Sequence, residues 1–281
     1  MAVPDATREL WLVGAGRMGS ALLNGWIRAG LVGPSSPVRV IEPTPPQSVL
    51  SAVRQGAATV AEPPFSSNDA DKLIVLAIKP QTLDAVLAEL RPIADARTAV
   101  LSIVAGRTIA SIAKGLGAGG SGLPIIRTMP NTPAAIGQGI TAAFASVGVD
   151  GSLKAAANAL LEAIGEVVWL DREDLLDAVT AVSGSGPAYV FYLVEALAEA
   201  GVAAGLPRAD ADRLARSTVI GSAALLKSSP ETPAALRQAV TSPGGTTEAA
   251  LKILMGEQGL SPLMRRAVAA ALAHAKELGK A

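Results

Sequence analysis

The sequence predicts an α/β domain over residues 1–170, followed by an all-α domain over residues 171–281. Up to about residue 170, short apolar segments alternate with helical patterns, which is typical of a parallel sheet with crossover helices. After Asp171 the strand patterns stop and alanine-rich helical segments follow. The length of 281 residues also favours two domains over one.

The predicted strands are short, and one of them is apolar on both faces. The segment 73–77 carries no polar side chain, which indicates a central strand covered by helices on both sides of the sheet. The first strand, 10–13, leads into a helix predicted over 17–29. The other predicted strands are 37–41, 72–77, 99–104, 125–128, 140–144 and 167–170.

The second domain consists of predicted helices, with proline at helix starts and glycine at helix ends. Pro187, Pro207 and Pro262 suit first helical turns. Residues 188–194 are apolar all round, so this helix must be buried on every side. We therefore expect a homodimer through this domain; the alternative is a central helix of a monomeric bundle. The predicted helices are 172–182, 187–203, 208–227, 232–240, 247–256 and 262–279.

Composition excludes several classes of partner. Lys plus Arg and Asp plus Glu both number 24, and no basic run indicates a nucleic-acid surface. The absence of Cys excludes a disulfide framework and a thiolate metal site and fits a reducing cytosol, so we expect a cytoplasmic protein. No metal is expected either, because the one acidic cluster, within 171–177, has no His or Cys beside it. The uncharged stretches 128–149 and 178–194 are broken by Pro and Gly, whereas a bilayer needs about 20 unbroken apolar residues. We expect no membrane partner.

A glycine motif, Gly14-Ala15-Gly16-Arg17-Met18-Gly19, follows the first predicted strand and opens a helix. In this context Gly14 permits a tight turn, Gly16 lets the backbone approach a pyrophosphate, and Gly19 allows close packing of helix on sheet. The motif predicts a Rossmann-type domain that binds a nicotinamide dinucleotide; the alternative is a simple strand–helix turn. With no Cys and one His, the chain suits hydride transfer, in which the cofactor carries the chemistry.

Glu42 ends the second predicted strand, where an acidic side chain accepts hydrogen bonds from an adenosine ribose. A carboxylate there repels the extra phosphate of NADPH, and no Lys or Arg follows in 43–48. The sequence therefore favours NADH. Two alternatives remain: Glu42 is a solvated loop residue, or Arg17 and Arg39 fold over to bind the phosphate.

Two further segments indicate ligand contacts. Ala77-Ile78-Lys79-Pro80 ends a central strand, at the sheet edge where ligands bind, and Lys79 either reaches a ribose or phosphate or is solvated. Ser242-Pro243-Gly244-Gly245-Thr246-Thr247 opens a helix, whose N-terminal N–H groups hold anions without a charged side chain. Alternatively, Ser242 and Thr246 only cap that helix.

Together these motifs resemble pyrroline-5-carboxylate reductases, in order and with similar spacing from about residue 10 to 280. The resemblance also rests on two other segments, 127–133 (RTMPNTP) and 183–189 (SGSGPAY). It implies reduction of Δ1-pyrroline-5-carboxylate to L-proline with NADPH or NADH, the last step of proline synthesis. It also implies a Rossmann domain followed by a helical dimerisation domain, with dimers that commonly assemble into larger rings.

The resemblance implies a role for each matching position. The cofactor would be lined by Val13, Gly14, Ala15, Gly16, Arg17, Met18, Gly19, Ala77, Ile78, Lys79 and Pro80, with Val104, Ala105 and Asn131 near the nicotinamide. The substrate loop would be Ser242, Gly244, Gly245, Thr246 and Thr247, completed by the partner's helices. The N–H groups of residues 245–247 would hold the carboxylate, and the Thr247 hydroxyl would orient or protonate the ring nitrogen. Glu42 departs from the family, in which many members have Ser or Thr.

Two other functions fit the same layout. A 3-hydroxy acid dehydrogenase needs a catalytic Lys in the helical domain, but neither Lys227 nor Lys252 lies in a convincing motif. A non-catalytic nicotinamide-binding sensor would not need the turn at 242–247. His274 is expected to be packed or interfacial rather than catalytic. The acidic group Asp171, Glu173, Asp174 and Asp177 is interpreted as charge that favours a helix start.

Overall fold

The computed structural model describes residues 8–65, 70–117 and 122–279, and the chain divides into two compact units. The first unit runs to Gly184 and also includes the chain from Leu272 onward; the second is Ser185–Ala271. All strands of the described residues lie in the first unit. The functional boundary after residue 170 stays a prediction.

The first unit is built on one eight-stranded sheet in the order β3-β2-β1-β4-β5-β6-β7-β8. The first six strands in the chain are parallel; β7 is antiparallel to β6, and β8 is parallel to β7. This confirms the predicted α/β fold and adds a reversal of direction that periodicity alone did not indicate. The strands are β1 (Glu9–Val13), β2 (Val38–Ile41), β3 (Ala58–Val60), β4 (Lys72–Leu76), β5 (Thr98–Ser102), β6 (Ile125–Met129), β7 (Gly139–Ala145) and β8 (Gly165–Trp169).

Helices cover both faces of this sheet. On β4, Leu73 and Val75 lie in one core cluster, whereas Ile74 and Leu76 lie in the other. The first cluster includes side chains of α1, α2 and α5, and the second includes side chains of α3 and α4. The central strand is therefore buried on both faces, as its apolar sequence predicts. These helices are α1 (Arg17–Arg28), α2 (Gln47–Arg54), α3 (Leu83–Leu90), α4 (Ile109–Gly115) and α5 (Gly151–Glu162).

The helix predicted over 172–182 is wrong in its extent. A short helix, α6 (Leu175–Val179), is followed by a π-helical turn over Thr180–Gly184. The hydroxyls of Thr180 and Ser183 donate to the carbonyl oxygens of Leu176 and Val179, at 2.9 and 3.2 Å. Such bonds to the preceding turn compete with regular helix geometry, which is consistent with the widened turn here.

The second unit is helical, and consecutive apolar residues of its first helix are exposed. On α7, the exposed fractions of Val190, Phe191, Tyr192 and Leu193 are 45%, 62%, 69% and 49%. These apolar side chains are therefore exposed in a single chain, and the helices of the same domain do not bury them.

Among the described residues, no helix is both long and apolar enough to span a bilayer. The helices from here on are α7 (Gly186–Ala203), α8 (Arg208–Ser228), α9 (Pro233–Ala239), α10 (Thr246–Leu254) and α11 (Leu260–Leu278).

Candidate active site

The first glycine of the N-terminal motif is required by its surroundings. Gly14 has φ +90° and its N–H donates to Ile41 O at 2.8 Å, while Ala77 N–H donates to Val13 O at 2.7 Å. A Cβ at Gly14 would lie 2.6 Å from Ala77 O. The loop is therefore held between β2 and β4, the point in the sheet at which ligands of this fold bind.

The N-terminus of α1 is open to an anion. Gly16 is its N-cap, no side chain caps the helix, and its first turn carries no acidic residue. A Cβ at Gly16 would meet nothing within 4 Å, whereas one at Gly19 would collide with the carbonyl oxygen of Gly14. Unpaired N–H groups beside open space suit a pyrophosphate, so these residues fit a dinucleotide.

Glu42 is anchored to the glycine loop rather than solvated. Its Oε2 accepts the Ala15 N–H at 2.9 Å, and its Oε1 accepts the Thr44 N–H at 3.1 Å. Arg39 is engaged elsewhere, because it donates to Glu9 at 3.1 Å and lies 5.2 Å from the centroid of the Trp11 ring. Of the two arginines considered for a phosphate, the exposed Arg17 is the one without such contacts among the described residues.

The other predicted cofactor residues lie at the same edge of the sheet. Lys79 is exposed, whereas Val13, Ala15 and Val104 are buried. Asn131 Oδ1 accepts the Ile140 N–H at 3.0 Å. This bond assigns the amide oxygen and leaves Nδ2 to donate.

The second glycine turn lies in the other unit and presents two backbone donors. Gly244 has φ +74°, and Gly245 is the N-cap of α10. The Gly245 N–H is used within the turn, donating to Ser242 O at 3.0 Å. No acceptor for the N–H of Thr246 or Thr247 lies among the described residues. No side chain caps α10, so capping does not explain the hydroxyls of Ser242 and Thr246.

Glu248 also belongs to this turn, and sequence reasoning missed it. Its Oε2 accepts the Gly244 N–H at 2.7 Å, and its Oε1 lies 3.8 Å from Lys252 Nζ. The signal was available, since a Glu three residues after an N-cap is the spacing of a capping box. The nearby ammonium offsets the carboxylate charge beside a turn predicted to hold an anion.

A partly buried ion cluster is centred on Arg127, a motif residue in the middle of β6 without an assigned role. The side chain of Arg127 is 7% exposed, with Nη1 3.3 Å from Glu173 Oε1 and Nη2 3.6 Å from Asp177 Oδ1. Glu173 Oε1 also accepts the Ile109 N–H at 2.8 Å. Asp177 lies in the first turn of α6, as its interpretation as helix-start charge expects, and it also pairs with Arg127. Glu173 precedes that helix, and its carboxylate instead pairs with Arg127 and the Ile109 N–H.

Two other residues considered in the sequence analysis, Asp174 and His274, are exposed. A hydrogen bond from the Arg172 guanidinium lowers the pKa of Asp174, whose side chain does not cap α6. His274 is on the surface, 3.5 Å from Glu277, rather than packed. The predicted site residues are thus divided between the units: the cofactor residues lie in the first and residues 242–247 in the second.

Comparison with known proteins finds a different family model for each part of the chain, and relatives that match along almost its whole length. Residues 173–278 match the family model for pyrroline-5-carboxylate reductase dimerisation, and residues 9–106 match that for NADP oxidoreductase, coenzyme F420-dependent. The pyrroline-5-carboxylate reductase of Pseudomonas aeruginosa is 38% identical over 275 residues, covering 98% of each chain.

Solved structures give the same relationship. A pyrroline-5-carboxylate reductase from Coxiella burnetii has a TM-score of 0.86 at 34% identity, covering 98% of this chain and 100% of that one. Pyrroline carboxylate reductase from Plasmodium falciparum, solved with NADP bound, has a TM-score of 0.77 at 29% identity, covering 98% and 99%.

Proposed function

Because the chain belongs to the pyrroline-5-carboxylate reductase family, we propose that it reduces Δ1-pyrroline-5-carboxylate to L-proline, the last step of proline synthesis. The observation that carries this proposal is the extent of the relationship, which spans both the glycine loop and the turn at 242–247. The open N-terminus of α1 supports a nicotinamide cofactor. A bound reduced nicotinamide supplies the hydride that saturates the imine carbon.

The chain's own task is to hold and orient the substrate. We assign its carboxylate to the N–H groups of Thr246 and Thr247 at the start of α10, where the helix dipole favours an anion. The Thr247 hydroxyl then positions the ring nitrogen. Because the imine can arrive protonated, this hydroxyl needs only to orient it, which makes Thr247 the proposed catalytic residue without a charged acid.

A direct assay tests the proposal. Purified protein is mixed with pyrroline-5-carboxylate and a reduced cofactor, and loss of the cofactor's absorbance is compared with the proline formed. We expect one proline for each cofactor oxidised. Oxidation of a 3-hydroxy acid without imine reduction would support the dehydrogenase instead. That alternative is not favoured, since Lys252, one candidate base, faces Glu248 on an exposed part of α10.

Our proposal for cofactor preference is NADH. The Glu42 carboxylate is fixed beside the glycine loop by two backbone N–H groups, so it cannot swing away freely from a 2′-phosphate. The engagement of Arg39 with Glu9 and Trp11 removes one of two candidate counter-charges. The Plasmodium falciparum structure was solved with NADP bound, so the preference for NADH is proposed for this chain on the position of Glu42 alone.

Replacing Glu42 with Ser tests this preference. We expect about a tenfold shift in the NADPH-to-NADH ratio of kcat/KM toward NADPH, the scale of removing one unfavourable charge contact. In parallel, binding of 2′,5′-ADP should tighten relative to 5′-AMP, measured by calorimetry without turnover. Glu162→Ser, at the exposed end of α5, is the matched control. An unchanged ratio would mean that Glu42 does not set the preference.

The helical region forms a homodimer in this proposal, and the partner's helices complete the substrate loop. The supporting observations are the match to the dimerisation model and the open apolar face of α7, which an isolated chain leaves in water. A larger ring of dimers and a cytoplasmic location are further expectations of the same proposal.

Light scattering at micromolar concentration should therefore give the mass of a dimer or a multiple of it. Phe191→Glu should shift the protein toward monomer, because it places a charge on the exposed apolar face of α7. The control is Glu162→Ser. A wild-type monomer under these conditions would contradict the proposed interface.

A further inference from the structure

We propose that Glu173 is a positioning residue for hydride transfer, which fixes the loop between β5 and α4 that faces the nicotinamide. The inference rests on the proposed function, since the resemblance places Val104 and Ala105 of this loop near the nicotinamide. Glu173 is outside the predicted cofactor and substrate residues, and its partner Arg127 is a motif residue without an assigned task.

The start of the loop is fixed by the sheet itself. Ile103 N–H donates to Leu76 O at 3.0 Å, and Val104 N–H donates to the Ser102 hydroxyl at 3.2 Å. The side chain of Val104 is buried in the core. The first half of the loop therefore continues β5 and is held by β4 and by Ser102, without a contact to Glu173.

The far end of the loop is held by Glu173. The loop ends at α4, whose first residue, Ile109, donates its N–H to Glu173 Oε1 at 2.8 Å. The same oxygen lies 3.3 Å from Arg127 Nη1, and Arg127 is itself anchored on β6 with 7% of its side chain exposed. One carboxylate oxygen thus joins the end of the loop to the neighbouring strand of the sheet.

The middle of the loop lies against the end of α11. Gly106 has φ +72°, and a Cβ built there would lie 3.3 Å from the Gly279 nitrogen and the Leu278 carbonyl carbon. Glu173 and Leu278 are the first and last residues of the match to the dimerisation model, which covers 173–278. Both ends of that region therefore touch the same loop, within the first unit of the structure.

The chemistry of the Glu173 contacts indicates a rigid attachment. A charged acceptor that serves both a backbone N–H and a buried guanidinium forms charge-assisted hydrogen bonds, which are stronger than neutral ones. Removal of Glu173 would leave the Ile109 N–H unpaired and Arg127 with Asp177 alone, at 3.6 Å. The end of the loop would then be free to shift, and hydride transfer is sensitive to displacements of about 1 Å.

The test compares two ligands that share the adenosine half but differ in the nicotinamide. We expect Glu173→Ala to raise the Kd of NADH about tenfold, the scale of losing one charge-assisted hydrogen bond, while the Kd of ADP-ribose stays unchanged. A general loss of structure would weaken both ligands. Calorimetry on the full-length protein gives both constants without turnover.

A graded pair of variants and a control complete the test. Glu173→Gln keeps an oxygen for the Ile109 N–H but loses the charge, so its NADH Kd should lie between those of wild type and Glu173→Ala. Its kcat should fall while the KM for pyrroline-5-carboxylate stays constant. Asp174→Asn is the control, because Asp174 is the next residue and its exposed carboxylate pairs with Arg172 instead. This variant should have the NADH Kd and the kcat of wild type.

The outcomes separate this inference from the proposed function. An NADH Kd equal to wild type in both Glu173 variants, or an equal loss of NADH and ADP-ribose binding, would overturn it. If Glu173→Ala fails to fold, the comparison of Glu173→Gln with wild type decides in the same way. If the wild-type protein binds NADH but does not reduce pyrroline-5-carboxylate, the proposed function fails while the binding contrast still tests the loop.

Discussion

Replacing Gly16 with Ala should weaken NADH binding about tenfold to a hundredfold without changing the stability of the fold. The residue has φ −63°, which any amino acid adopts, and a Cβ there meets no protein atom within 4 Å. The new methyl group would instead occupy the space in which a pyrophosphate approaches the backbone. Overfilling a close contact by one methyl costs about 1–3 kcal/mol, which gives the stated range.

Gly14→Ala is the matched comparison, two residues earlier in the same loop. Here a Cβ would lie 2.5 Å from Ile78 Cγ2 and 2.6 Å from Ala77 O, with φ at +90°. We expect this variant to lose about 2–4 kcal/mol of unfolding free energy, because both strain and a backbone clash act on it. Urea unfolding measures the stability of both variants, and calorimetry measures their affinity for NADH. Equal effects of the two variants on stability would contradict the separate roles assigned to these glycines.

Replacing Thr247 with Ala should lower kcat by about a hundredfold, because the ring nitrogen loses the hydroxyl that orients it; this is the lower end of the range for a side chain positioned at a reacting proton. The N–H of residue 247 remains in this variant, so the carboxylate is still held at the start of α10. We therefore expect the KM for pyrroline-5-carboxylate to change much less than kcat. Steady-state kinetics with the preferred cofactor provide both constants.

Thr247→Ser is the control, because it restores a hydroxyl at the same position on α10. It should recover most of the lost kcat, whereas Ala should not. A kcat in Thr247→Ala equal to that of wild type would remove Thr247 from the reaction. A large rise in KM with constant kcat would instead make it a binding residue only.

Sequence patterns predicted the parts of the fold that depend on neighbouring residues in the chain, such as turns and buried strands. The strand–glycine–helix sequence at the start of the chain predicts a tight turn at Gly14, and this residue has φ +90°, which glycine adopts readily. The apolar segment 73–77 predicts a strand with two buried faces, and β4 has them. The three-residue strand β3 was missed, because Ala58–Val60 is too short for a periodic pattern to stand out.

The contacts that define the candidate site are mostly long-range, and a sequence pattern does not reveal them. Glu42 follows β2, yet its partner is the N–H of Ala15, 27 residues earlier. Arg127 and Glu173 are 46 residues apart, and neither sits in a pattern that pairs them. Residue type predicted that these groups are charged, but only the strand order brings each to its partner. The sequence also did not show which backbone N–H groups of the second glycine turn are available to a ligand. The structure shows that Glu248 accepts one of them, the N–H of Gly244.

The most direct measurement of the central claim follows the hydride itself. Wild-type protein is incubated with pyrroline-5-carboxylate and NADH that carries deuterium at both positions on C4 of the nicotinamide, and the product is analysed by mass spectrometry. Direct transfer predicts L-proline heavier by one deuterium, located at the ring carbon next to nitrogen that was part of the C=N bond. Deuterated cofactor that remains unoxidised, or proline that forms without the label, would contradict it.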